Sequence, residues 1–296
     1  MLARSATEWT PTVTAAPVTT AEPAPAVSRR HAAGAGSARG LLLTVLGEFV
    51  LPGGGAALTS TFITVLGRLG VEEKASRQAL MRTGADGLLV SERQGRRALW
   101  TLTEAAQRLL TEGAERIYGF EAGQPEWDGR WLIVLARLSE SERAARHQLR
   151  TRLTWAGFGS PAPGVWISTH VDRAAEAERV LAEADVHDGQ IFLADHHGGG
   201  PLSVMVRQAW DLDAVEMRYK EFLADFARTG WADALVGIIQ LVHAWRRFPL
   251  IDPALPAELL PARWSGGRAA KLFARRRSEW HAAAQAEWQR ITGKTG

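Results

Sequence analysis

The chain has 296 residues, 46% of them hydrophobic, and no cysteine. That is enough apolar material for more than one buried core, and it excludes a disulfide framework, a thiolate zinc site and a cysteine nucleophile. A net charge of +3 does not by itself mark a nucleic-acid binder, so what matters is where the arginines lie.

Residues 1–38 are Ala, Thr, Pro and Ser with hardly any large apolar side chain, a composition that predicts a disordered tail. Arg29-Arg30 followed by the apolar run Leu41–Val50 has the look of a twin-arginine export signal. However, Glu48 interrupts that run and no small-residue cleavage pattern follows it, so it is read as the first helix of a domain in a cytoplasmic protein. No apolar stretch approaches the roughly 18 residues of a membrane span.

From there the pattern is helix, helix, helix, hairpin. Leu41–Leu46 and Phe62–Leu66 are apolar helices, and a Gly70-Val71 break leads to a basic and polar helix over Glu73–Thr83. Gly87–Leu102 is a hairpin with a basic tip. This is the outline of a winged helix-turn-helix, which lays one helix in the DNA major groove. On the third helix Lys74, Arg77, Gln78, Met81 and Arg82 recur at i, i+3, i+4, i+7 and i+8, so they share one face. Val71, Ala75, Ala79 and Thr83 form the small-residue face opposite. Arg bonds bidentately to guanine and Gln to adenine, while Lys74 suits a phosphate. At the hairpin tip Arg93, Arg96 and Arg97 surround Gly95, placed to neutralise phosphates or enter a minor groove. The competing reading is a solvated helix face and a charged turn.

Thr103–Tyr118 is a helix with Thr103 as N-cap, and Glu121–Pro125 a linker. The next block reads as strand (Trp127–Leu135), helix (Glu140–Trp155, with Ala145, Leu149 and Leu153 on one face), and a hairpin turning through Ser160–Gly164 to Val165–Ser168. A helix (Asp172–Ala184) and a strand (Gln190–Ala194) complete it. This βαββαβ order is that of a ferredoxin-like sandwich. The remainder is helical: Leu212–Ala227, then Trp231–Phe248 ended by Pro249, a proline-ruled connection over Asp252–Pro261, and Gly266–Ile291. The expected class is α+β, divided into a tail (1–38), a DNA-reading domain (39–120), a ferredoxin-like domain (126–198) and a helical domain (200–296).

Three further motifs share one order and spacing. They are Trp127-Asp128-Gly129-Arg130-Trp131; Gly157-Phe158-Gly159 with Pro163-Gly164-Val165-Trp166-Ile167; and Leu241–Leu250, which continues into Asp252-Pro253 and Leu255–Pro261. In these the chain, from about Leu41 to Phe273, resembles the PaaX family, bacterial regulators named for repressing phenylacetic-acid catabolism. The resemblance implies an N-terminal winged helix, a central Cas2-like fold, a helical C-terminal domain, and a homodimer on a palindromic operator. It also implies release by an aromatic acyl-CoA thioester, as in the best-known members; the particular effector does not transfer, phenylacetyl-CoA or a related acyl-CoA being the candidate, and no cofactor is expected. The chain departs from the family at Thr83-Gly84-Ala85-Asp86, which stands where a bulkier apolar pair is usual and is expected to loosen that helix end.

An acyl-CoA needs cations for its phosphates and an aromatic or apolar slot. Most of the twelve tryptophans follow Trp100, and Trp131, Trp166, Tyr219, His243, Arg246, Arg247 and Trp264 have the right chemistry. The bland alternative is that the aromatics are core and Arg246-Arg247 cap their own helix. Arg275-Arg276-Arg277 reads as a solvated face. Asp195-His196-His197 lacks further metal ligands. A nuclease would want carboxylates near a metal ion, yet Trp131–Arg137 carries none and Asp128 stands alone before it. The reading is therefore a dimeric, effector-responsive repressor and not an enzyme. A ligand-independent regulator or activator and a Cas2-like nuclease are the rivals.

Overall fold

The computed structural model describes residues 37–120, 126–138, 142–227 and 233–293. The predicted tail up to residue 36, with Arg29-Arg30, and the linker at 121–125 lie outside them, as does Trp231. The architecture is mixed α and β with two antiparallel sheets.

Helix α1 (Ala38–Val45) starts where the Ser37 hydroxyl accepts a bond from the Gly40 amide, and it buries Leu41, Leu42 and Val45. It runs into a π-helical turn, Leu46–Val50, that buries Phe49. A short strand β1 (Ala56–Leu58), which the sequence reading did not contain, leads into α2 (Thr59–Arg68). Then come α3 (Glu73–Ala85), strands β2 (Leu89–Gln94) and β3 (Arg97–Leu102), and α4 (Glu104–Gly119). β3 is central in the sheet β1-β3-β2. Helix α3 continues through these small residues to Ala85. A Cβ at Gly84 would come within 3.1 Å of the Trp100 ring, so the missing side chain is what lets this indole close over the helix.

The second sheet is built from β4 (Arg130–Leu135), β5 (Gly159–Ala162), β6 (Val165–Ser168) and β7 (Gln190–Asp195), in the order β5-β6-β4-β7. With α5 (Arg143–Trp155) after β4 and α6 (Ala174–Glu183) after β6, this is the βαββαβ ferredoxin-like arrangement. The hairpin differs from expectation: Ser160-Pro161-Ala162 belong to strand β5, and only Pro163-Gly164 turn. Proline is tolerated there because β5 is an edge strand with an irregular register. Both faces of the sheet are covered at β4, whereas β7 leaves Phe192 and Leu193 exposed. Leu132 and Val134 meet α5 and α6, while Trp131 and Ile133 meet α7 (Leu202–Ala209) and the proline-ruled connection. Helix α7 was not legible in the sequence.

Helices α8 (Leu212–Ala227), α9 (Ala234–Trp245), α10 (Phe248–Ile251) and α11 (Gly266–Thr292) follow. The single helix expected to end at Pro249 is two. The break falls at Arg246-Arg247, and Pro249 sits in the first turn of α10, where its missing amide has no partner to lose. Tyr219 stacks on Phe248 at 4.1 Å, and Trp245 on Phe273 at 4.7 Å. One core runs from the N-terminal helices into this bundle. Leu235, Ile238 and Ile239 of α9 and Ala284 and Trp288 of α11 pack with Leu42, Phe49 and Phe62.

Candidate nucleic-acid interface

Helix α3 separates its two faces sharply. Ser76, Ala79, Leu80 and Thr83 are buried, with the Ser76 and Thr83 hydroxyls donating back to the carbonyls of Glu72 and Ala79. Ser76 and Leu80 were missing from the face predicted to pack, because a polar residue hid the true stripe. Lys74, Arg77, Gln78, Met81 and Arg82 are all exposed, and together with Glu73 they line one shallow hollow along the helix. Met81, 64% exposed, gives this cationic surface an apolar centre suited to a thymine methyl.

Little restrains these side chains. Arg77 is held by its own helix neighbour Glu73 at 2.6 Å, with both side chains more than half exposed. Such a pair contributes about 0.3–0.5 kcal/mol, so exchanging it for another acceptor is cheap. The C-terminal end of α3 is anchored by an ion pair between Asp86 and Arg39 of α1.

The β2–β3 hairpin carries Arg93, Arg96 and Arg97, all exposed. Gly95 adopts φ +62° in the two-residue turn, the left-handed conformation that glycine permits without strain. The hairpin base is firm. The Trp100 indole donates to the Thr59 hydroxyl at 3.0 Å, which itself donates to the Ala98 carbonyl. Thr103 N-caps α4 and also donates to the Gly87 carbonyl at 2.8 Å. The tip is thus a cluster of exposed cations, with Arg93 donating to the Gly95 carbonyl at 3.1 Å, on a hydrogen-bonded stem.

The seven residues offered for a ligand do not converge. Tyr219 is wholly buried and donates to Asp252 at 2.6 Å. Burial raises the Asp252 pKa, partly offset by this bond. Trp264 lies edge-on to Tyr219, and Trp131 packs against Trp127. His243 sits at the seam of α9 and α1, its Nδ1 3.1 Å from the Thr44 hydroxyl. Burial, with the charges of Arg246 and Arg247, lowers its pKa to about 4, so it is neutral at pH 7. Arg246 and Arg247 follow the end of α9. Of the seven, Trp166 alone lines the large cavity of the molecule, about 1470 Å³.

The basic run in α11 is not a solvated face throughout. Arg276 is 4% exposed and donates to the carbonyls of Phe226 and Ala227 at the end of α8, and to Glu279. It therefore neutralises the negative pole of another helix. Arg277 lies over the Tyr118 ring at 4.1 Å. Tyr118 donates to Glu48 in the π turn, whose pKa burial raises. Among the described residues no group of His, Asp and Glu is arranged to hold a metal ion, and no helix is long and apolar enough to cross a membrane.

Comparison with known proteins is decisive about kinship. Three family models cover nearly the whole described chain: PaaX-like protein at residues 37–106, the PaaX protein central Cas2-like domain at 124–206, and the PaaX-like protein C-terminal domain at 210–290. The chain belongs to the PaaX family. It is 32% identical to the transcriptional repressor PaaX of Escherichia coli strain K12 over 253 residues, 80% of this chain and 78% of that one. Its fold is similar to that of Rv0674 from Mycobacterium tuberculosis, with a TM-score of 0.59 and 23% identity over 86% of this chain and 99% of the other. The Cas2-like description of the PaaX central segment agrees with the sheet order β5-β6-β4-β7.

Proposed function

We propose that this PaaX-family chain is a DNA-binding transcriptional repressor. In this reading residues 39–120 form a winged helix-turn-helix with α3 in the major groove. Arg77, Gln78, Met81 and Arg82 meet base edges there, and Lys74 meets a phosphate. The β2–β3 hairpin is the wing, and Arg93, Arg96 and Arg97 engage the backbone or the neighbouring minor groove. Residues 126–198 pair two copies so that two α3 helices face half-sites about one helical turn apart, and residues 200–296 support ligand sensing. An aromatic acyl-CoA of the phenylacetyl-CoA kind releases the dimer by binding more tightly to a form whose helix spacing mismatches the operator. A regulator of this kind works in the cytoplasm, where its operator lies, and needs no cofactor or catalytic group.

The observation that carries the reading is the exposed face of α3. Its cationic and amide side chains occupy one side of a helix whose other side is fully engaged. The name of the E. coli relative supports the regulatory role and its negative sign. Fluorescence anisotropy with labelled promoter fragments from the protein's own locus tests it. Saturable binding to one fragment, competed poorly by unrelated duplex and reversed by phenylacetyl-CoA, is the expected outcome. A complex that forms but keeps its occupancy with every acyl-CoA added would leave the DNA reading standing and end the release model.

A further inference from the structure

The cavity of about 1470 Å³ lies where three parts of the chain meet: the end of α4, the region from α5 to Arg173, and the segments around α7 and α10. It is larger than the roughly 300–1,000 Å³ of an ordinary small-molecule pocket, so it has room for an extended ligand. Four arginines line it from four separate places: Arg116 on α4, Arg150 on α5, Arg173 after β6 and Arg207 on α7. Among the described residues none of Arg116, Arg150 and Arg207 forms an ion pair, unlike Arg39, Arg68, Arg152 and Arg276 but like the exposed Arg82, Arg96 and Arg97. Arg173 donates to the Ala156 carbonyl. Burial lowers its pKa, the charges of Asp172 and Glu176 oppose that shift, and the charge of Arg116 adds a smaller lowering. Arg116, Arg150 and Arg207 are solvent-exposed, so their side chains can turn to an anion entering the cavity at little cost.

Several carboxylates of the lining are already engaged. Asp211 caps α8 through the Ala214 amide, Asp252 accepts from Tyr219 and Ala254, and Glu176 faces Arg179. Glu115, Asp213 and Glu258 are solvent-exposed. The apolar part of the wall includes the half-buried Trp155 and Trp210 and the buried Trp166, the first two offering flat surfaces for an aromatic group.

We infer that this cavity is the effector site, taking an organic ligand with phosphate-like anionic groups on Arg116, Arg150, Arg173 and Arg207 and an apolar arm against the tryptophans. The inference rests on the effector reading above and assigns it a place that the seven residues read from sequence do not provide. The geometry also gives the ligand a route to the DNA-reading unit. Arg116, Gly119 and Phe120 of the cavity wall end the same helix α4 whose first turn is tied by Thr103 to the base of the hairpin. The neighbouring Tyr118 bonds Glu48 in the π turn after α1. A ligand that draws the end of α4 toward itself shifts both.

Isothermal titration of the full-length protein with phenylacetyl-CoA, coenzyme A and phenylacetate tests the assignment, using wild type and an Arg150→Ala/Arg207→Ala double variant. Both side chains are exposed, and a circular dichroism spectrum matching wild type verifies that the variant folds. The whole thioester is expected to bind more tightly than either half. The double variant is expected to raise its Kd at least about tenfold, the loss of charge-assisted contacts. Hydrogen exchange in the wild type should slow over residues 115–120 and 154–158 when the thioester is added. A double variant that binds as tightly as wild type, or protection confined to other segments, overturns the cavity assignment and leaves the effector reading intact. A wild type that binds none of the three probes overturns both.

Discussion

Helix α3 and the C-terminal helices use the same cation in opposite ways. On α3, Arg77 and Arg82 stand in solvent, and Arg77 has only an exposed neighbouring carboxylate. In the C-terminal bundle, Arg276 is buried with three acceptors. The first kind costs little to redirect and is available to an outside partner. The second is committed to the fold, because uncovering its acceptors leaves buried carbonyls unsatisfied. Residue type alone does not separate a binding residue from a structural one. Exposure together with the strength of existing partners does.

The comparison is sharpest in two arginine substitutions. Arg276→Ala removes the cation that closes the end of α8 and is expected to cost about 3 kcal/mol of stability, read as a lower urea midpoint with unchanged m-value. Arg77→Ala should leave the urea midpoint near wild type and weaken specific DNA binding by roughly 1–3 kcal/mol. A stable Arg276→Ala protein, or an unstable Arg77→Ala one, breaks the contrast.

His243 extends it to a group that titrates. Its folded pKa of about 4 lies below the ordinary histidine value, so the unfolded chain takes up the proton first as pH falls. The stability its neutral form contributes is complete above the unfolded pKa of about 6.5 and is lost as pH drops from there toward 4. The urea midpoint should therefore fall between pH 7 and pH 5, and His243→Asn should reduce that fall. His170, whose pKa burial also lowers, accounts for part of what remains. Equal pH slopes in the two proteins would contradict the buried, neutral histidine.

The smallest effect belongs to the hairpin tip. Arg96→Ala should weaken binding similarly on all DNA sequences and reduce the slope of log K against log salt by about 1. A change confined to one sequence would move Arg96 from the backbone to a base.

Periodicity carried the long elements well, because their burial pattern is written every three or four residues. The exposed face of α3, the length of α8 and the extent of α11 were all readable in that way. What periodicity could not carry falls into three kinds. Strand β1 and helix α7 are short, and their stability comes from β3 and β5 beside them rather than from their own residues. Ser76 of α3 and Arg276 of α11 are polar residues on buried stripes, legible only once their acceptors are known. The cavity is assembled from α4, α5, α7 and α10, and no spacing along the chain brings Arg116, Arg150 and Arg207 together. Trp131, Tyr219 and Trp264 drew attention as ligand candidates by composition, yet they pack against other side chains.

The account stands on α3 as a reader of duplex DNA. Its most direct test is the affinity of wild type and a Lys74→Ala/Arg77→Ala/Arg82→Ala variant for promoter fragments of the protein's own locus, measured by anisotropy over a range of salt. The account predicts a saturable wild-type complex that weakens steeply with salt, and a folded variant that has lost the preference for its fragment. Wild-type protein that ignores every fragment at low salt, or a variant that binds the preferred one undiminished, would contradict it.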